Sequence, residues 1–185
     1  MKYIQTIMLI CCVALTACSL HAQTTITNPL QHFKSEADLE GVTKIYKLEV
    51  DINNDGLKEV FLSTGKSDPP DVDELAWDLY LAKPGGQYIL AGEKTDTGIN
   101  QNSGVGFKKD QYWVGLIPEL NRYGLLYLSC GRGGQAKCQL KAIVIEGDAF
   151  KEIAIGQPVS AETNAEQLAQ RFTNPPTPPV QEFAP

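Results

Sequence analysis

Histidine is nearly missing from this chain: 185 residues contain two, His21 and His32. A zinc site or a histidine-centred catalytic triad needs imidazoles set among carboxylates, thiols or a nucleophile. Neither chemistry has its parts here. The nucleophile elbow Gly-x-Ser-x-Gly is lacking as well, since Ser129 stands in "LSCGRGG". "GRGGQAK" offers glycines and cations without phosphate-loop spacing, and reads as a flexible hairpin tip. No period of 20 to 50 residues repeats, which argues against a solenoid or a closed propeller. Positive charge is short too: 16 Lys and Arg against 22 Asp and Glu give a net charge of −6. That balance argues against nucleic acid or an anionic lipid surface as partner and admits a cationic protein. The apolar run Ile7–Leu15 is too short to span a bilayer as a permanent helix.

What is present begins with that run. One cation, Lys2, precedes it, and it ends in Leu15-Thr16-Ala17-Cys18. This resembles the lipobox of bacterial lipoproteins, in which residues 1–17 are a signal peptide and the Cys18 thiol accepts a diacylglycerol. Ser19 stands where an inner-membrane retention signal would usually carry Asp, so the resemblance implies an outer-membrane lipoprotein facing the periplasm. An ordinary secretory signal cleaved after Ala22, giving a secreted or periplasmic protein, is the alternative. Loss of residues 1–17 leaves 15 basic residues against 22 acids, a charge of −7. The remaining chain suits one domain with a real core. Residues 18–28, small and polar, read as a tether.

Of five cysteines, Cys11 and Cys12 would leave with the signal and Cys18 carries the lipid, so Cys130 and Cys138 remain. An even pair in an oxidising compartment, flanking a glycine-rich tip, reads as a disulfide that closes a hairpin. On the chain-entropy estimate so short a loop gains about 2.5 kcal/mol. A two-cysteine metal site is the alternative, and it lacks local histidines.

The domain, residues 29–158, reads as mainly β: an antiparallel sheet or sandwich, or a partial propeller-like meander, with short helices at both ends. Asn28 and Pro29 signal a helix start, and Gly41 its stop. In "VTKIYKLEV" Val42, Tyr46, Leu48 and Val50 share one face, a strand by its period of two. Further strands are expected at Lys58–Ser63, Trp77–Ala82, Gln87–Leu90, Tyr112–Ile117, Leu125–Cys130, Gln139–Ile145 and Phe150–Ile155, punctuated by "KPGG", "ELNRYG", "GRGG" and "EGD". Ser160–Phe172 patterns as an amphipathic helix with Ala165, Leu168, Ala169 and Phe172 on one side, within a helical segment 159–173. The tail 174–185, "NPPTPPVQEFAP", is expected to be extended or disordered, because repeated prolines oppose both helix and ladder pairing.

The most specific stretch is "DINNDGLKEVFL". Asp51, Asn53 and Asp55 alternate, Gly56 permits a sharp turn, Leu57 offers a backbone carbonyl, and Glu59 adds a carboxylate. Oxygen donors at these offsets suit Ca²⁺, which takes six to eight oxygens in variable geometry; a transition metal would want nitrogen or sulfur. An EF-hand would need helices on both sides and a Glu where Leu62 stands, whereas both flanks here read as strands. The stretch resembles the calcium loop of FG-GAP/VCBS-type β repeats of integrin-like propellers and exported bacterial proteins. "AWDLYLAKPGGQYIL" is similar to the next hairpin of such a unit. The resemblance covers Val42 to Leu90 and implies one calcium loop in a β unit, with Asp51, Asn53, Asp55, Gly56 and Glu59 on the family pattern. One loop instead of several implies no closed propeller. A metal-free turn rich in Asx hydrogen bonds is the competing reading.

"SDPPDVDELAWD" gathers Asp68, Asp71, Asp73, Glu74 and Asp78: a solvated loop, an acidic binding loop, or paired carboxylates for glycoside hydrolysis. Trp77, Trp113, Tyr80, Tyr112 and Tyr123 would mostly be core on strands, with a carbohydrate-stacking platform as the alternative. Two functions follow. One is a calcium-stabilised envelope lipoprotein that binds a protein, as an inhibitor or immunity protein against an envelope-targeting hydrolase. The other is a carbohydrate-binding or carbohydrate-active protein using the acidic loop and aromatics. No catalytic residue is assigned.

Overall fold

The computed structural model describes residues 24–66, 75–130, 137–160 and 178–185. Within them one helix, α1 (Pro29–Glu36), precedes eleven strands. These are β1 (Val42–Val50), β2 (Glu59–Lys66), β3 (Leu75–Lys83), β4 (Gln87–Thr95), β5 (Gly98–Asn100), β6 (Val105–Phe107), β7 (Tyr112–Ile117), β8 (Arg122–Cys130), β9 (Lys137–Glu146), β10 (Ala149–Ser160) and β11 (Gln181–Phe183). The protein is mainly β, as its alternating apolar patterns imply.

The strands form one sheet in the order β11-β1-β2-β3-β4-β10-β9-β8-β7, with β5 beside β4 and β6 beside β3. Neighbours are antiparallel except at one junction, where β10 runs parallel to β4 through Ala149–Gly92 and Phe150–Glu93. One buried cluster takes Leu48 and Val50 from β1, Phe61 from β2, Trp77 and Leu79 from β3, Tyr112 from β7, Tyr127 from β8 and Phe150 from β10. Strands from opposite ends of the order therefore share a core, and the sheet must curl around it. Trp77 and Phe107 lie at its centre, stacked at 4.9 Å between ring centroids, and Trp77 Nε1 donates to the Phe107 carbonyl at 3.0 Å.

The other face of the curled sheet is apolar as well, and this explains the near-continuous apolar runs. Alternate residues Ile45, Val60, Leu62 and Tyr80 turn away from the central core and pack with Phe33 of α1. Asn28 caps that helix, its Oδ1 accepting the Gln31 N–H at 3.1 Å, and Pro29 opens it. On β8 and β9 the outward set is Leu126, Leu128, Cys138, Leu140, Ala142 and Val144.

Four expectations change. The stretch read as a tether includes Ile26, which is buried and bridges Tyr88 through two backbone hydrogen bonds of 2.8 and 2.7 Å. β10 continues through Ser160, paired with Lys137 after a register shift between Ile155 and Val159. Ladder pairing has taken the residues at which the expected helix was to begin, and the rest of that helix, 161–173, lies outside the described residues. The tail does enter the ladder: β11 pairs with β1 at Ile45–Phe183, Tyr46–Glu182 and Lys47–Gln181. Proline blocks pairing only at its own missing N–H, and Gln181–Phe183 contains none. Three-residue strands β5 and β6 were not anticipated, nor was the parallel junction.

Candidate metal centre

β1 and β2 pair in register from Leu48–Phe61 to Val50–Glu59, so residues 51–58 form the connection between them. Two left-handed residues turn the chain, Asn54 at φ 60° and Gly56 at φ 88°. A short polar side chain tolerates that region and glycine enters it without cost. Ile52, fully buried, anchors the loop in the central core. The side chains of Asp51 and Asn53 are then held above the turn, half-buried, with Asp55 exposed.

Their oxygens are organised by backbone N–H groups. Asp51 Oδ1 accepts from Asp55 N (3.2 Å) and Oδ2 from Gly56 N (2.9 Å). Asn53 Oδ1 also accepts from Asp55 N (3.1 Å), and Asp55 Oδ1 accepts from Leu57 N (2.8 Å). Asn53 Nδ2 donates to Asp55 Oδ2 at 2.9 Å. These are the Asx bonds of the competing metal-free reading. Among the described residues, no group of three or more His, Cys, Asp or Glu side chains is arranged to hold a metal ion. Each ionised carboxylate oxygen retains a further acceptor direction, so the donor chemistry suits a hard cation once the side chains converge.

Glu59 is the unusual member. It opens β2, is 1 % exposed, and its Oε2 accepts the Ile52 N–H at 3.0 Å across the loop. Burial pushes its carboxyl up to about 7; the Ile52 and Glu59 N–H groups oppose that shift, and the charges of Asp55 and Asp51 add to it. The structure therefore brings Asp51, Asn53, Asp55 and Glu59 to one loop, with Leu57 half-buried between them.

Elsewhere the expected residues part company. Cys130 and Cys138 face each other across β8 and β9, with sulfurs at bonding distance, 1.97 Å. Cys18, residues 1–17, and Asp68, Asp71, Asp73 and Glu74 lie outside the described residues. Asp78 is on β3 opposite Leu62, and burial raises its carboxyl while the nearby His32 lowers it. Trp77, Tyr80 and Tyr112 are buried, which leaves Trp113 half-buried and Tyr123 exposed among the five aromatics. A contact the sequence did not signal joins α1 to the sheet: His32 Nδ1 lies 3.2 Å from the Tyr80 hydroxyl. Phe33, an apolar residue of α1 that is buried against the sheet, is the signal that could have found that docking. Comparison of the chain with protein-family models, with curated proteins and with solved structures gives no match.

Proposed function

We propose that this is an exported, lipid-anchored envelope protein that binds another protein, with a structural calcium ion in the β1–β2 loop. The observation that carries the reading is the loop itself. Asp51, Asn53 and Asp55 stand on the connection between two core strands and Glu59 opens the second of them, its carboxylate held out of water and hydrogen-bonded back to Ile52 of the connection. A buried carboxylate beside two others is costly when ionised, and a divalent cation removes that cost. The Leu57 carbonyl completes the proposed ligand set.

Extracellular calcium modules bind at roughly 0.1–1 mM. At about 1 mM calcium and a dissociation constant near 0.1 mM, linkage adds roughly 1.4 kcal/mol. This is a stabiliser of the domain and not a condition for folding. Titration calorimetry is expected to show one calcium site in the wild type and none in Asp51→Ala. Identical melting of the wild type in calcium and in chelator, with no calorimetric signal, would reduce the loop to a turn. Acylation at Cys18 is checked by intact mass of membrane-extracted protein, where a mature terminus at Gln23 would defeat it. The protein-binding role is read by pull-down from the native envelope with a quantified, reciprocally confirmed partner.

A further inference from the structure

β1 is nine residues long, yet β11 covers its outer side through only three register pairs, Ile45 to Lys47. Around that short strand the molecule collects cations, although its net charge is −6. Glu182 receives Lys44 Nζ at 2.7 Å and Lys109 Nζ at 3.3 Å. Lys34 Nζ donates to the Ala184 carbonyl at 2.8 Å, and Lys47 Nζ lies 5.9 Å from the centre of the Phe183 ring. Phe183 packs on the cluster beneath α1, while Val180 packs on the central core. The Tyr112 hydroxyl donates to the Pro178 carbonyl from the far end of the sheet.

These contacts hold the resident strand by three means: a backbone edge, a lysine pair for one carboxylate, and an apolar seat for the aromatic residue that follows it. Strand addition draws affinity from such an edge and specificity from alternate side-chain sockets. We propose that the outer edge of β1 is the docking site for an extended strand of a partner protein bearing an acidic residue followed by an aromatic one, and that β11 occupies this site in cis. The proposal rests on the protein-binding reading above and names its surface. The resident strand is suited to replacement. Its ion pairs are open to solvent, with Lys44, Lys109 and Glu182 side chains 50 %, 47 % and 42 % exposed, and pairs so exposed hold weakly. An occupied edge is also protected from indiscriminate pairing.

The test uses the full chain and a fluorescent peptide with the sequence of residues 178–185, followed by anisotropy at low salt. Glu182→Lys sets the resident strand against Lys44 and Lys109, and is expected to bind the peptide at least tenfold more tightly than the wild type does. Adding Lys44→Glu in the same chain is expected to reverse that gain, as is a peptide with Lys in place of its Glu. Phe183→Ala loosens the resident strand without changing charge, and serves if Glu182→Lys does not fold. Absence of peptide binding in a cooperatively melting variant, or binding indifferent to Lys44→Glu, overturns the proposal. A concentration-dependent wild-type dimer dissolved by the peptide would make the occupant a second copy and overturn it too. A captured partner that still binds the Lys44→Glu chain would reject this groove and leave the protein-binding reading standing.

Discussion

Replacing Glu59 with glutamine tests the loop without touching its shape. In the wild type the carboxyl sits almost entirely out of water, and its folded-state value is about 7 against an ordinary 4.5. The group is an acid whose folded value is raised. Below about pH 4.5 it is protonated in both states and contributes nothing adverse. Between 4.5 and 7 the unfolded chain releases its proton first, so stability falls as pH rises; above 7 the loss is complete. Each unit corresponds to about 1.4 kcal/mol, so the full difference is on the order of 3 kcal/mol. Glutamine keeps the volume and an oxygen to accept the Ile52 N–H, and it cannot ionise.

In chelator, Glu59→Gln is therefore expected to match the wild type near pH 4.5 and to exceed it by up to about 3 kcal/mol at pH 8. On the proposed calcium site the order is expected to narrow or reverse in calcium, because a bound ion would stabilise the ionised wild type and would lack a ligand in the variant. Urea unfolding followed by tryptophan fluorescence, from pH 4.5 to 8 with and without calcium, reads both arms. The difference between the two proteins is the quantity to plot. Glu146 and Glu182 slope the opposite way, lowered by the ammonium groups of Lys94 and Lys44 respectively, whereas Asp78, raised by burial, slopes the same way as Glu59. A variant less stable than the wild type at pH 8 in chelator, or a difference that does not change with pH, refutes the account of Glu59.

Three further outcomes follow from particular contacts. Asp51→Ala removes the acceptor for Gly56 N and one of two for Asp55 N, and is expected to cost about 1 kcal/mol in chelator; melting in calcium and in chelator should then coincide. Replacing Cys130 and Cys138 together with alanine opens the β8–β9 tip, where the two residues are cross-strand partners, and is expected to lose about 2.5 kcal/mol by urea unfolding, with reductant ceasing to affect the variant. Trp77→Ala empties the centre of the core and removes the bond to the Phe107 carbonyl; a loss of about 3–5 kcal/mol should come with faster amide exchange over residues 105–107.

What could be read in advance followed local chemistry. The alternation of Tyr46, Leu48 and Val50 marks the side of β1 that faces the central core, and the glycine after Asp55 marks a turn that needs positive φ. The cysteine pair is similarly local, because the two cysteines stand eight positions apart in the chain and a hairpin brings them together. By contrast, β5, β6 and β11 are three residues each. A period of two has no room to register in so short a segment. β5 folds straight back on β4, whereas β6 and β11 owe their strand character to partners distant in sequence, β3 and β1. The parallel meeting of β4 and β10 likewise depends on how the sheet curls, which no stretch of sequence encodes on its own.

Glu59 shows the same limit within the candidate site. Its identity as an oxygen donor was legible, whereas its burial was not, since a charged residue beside a polar loop ordinarily faces water. Two circumstances remove it from solvent. β2 begins at this residue, opposite Val50, and Val60 and Phe61 after it turn to opposite faces that are both covered, one by the cluster under α1 and one by the central core. The unbroken apolar run Val60-Phe61-Leu62 was the available signal: a strand without a polar face is buried on both sides, and its first residue is drawn in with it. That position ties the ionisation of Glu59, and any calcium bound at the proposed site, to the core. The loop's response to pH and calcium is consequently expected in the unfolding of the whole domain and not only in local motion of residues 51–58.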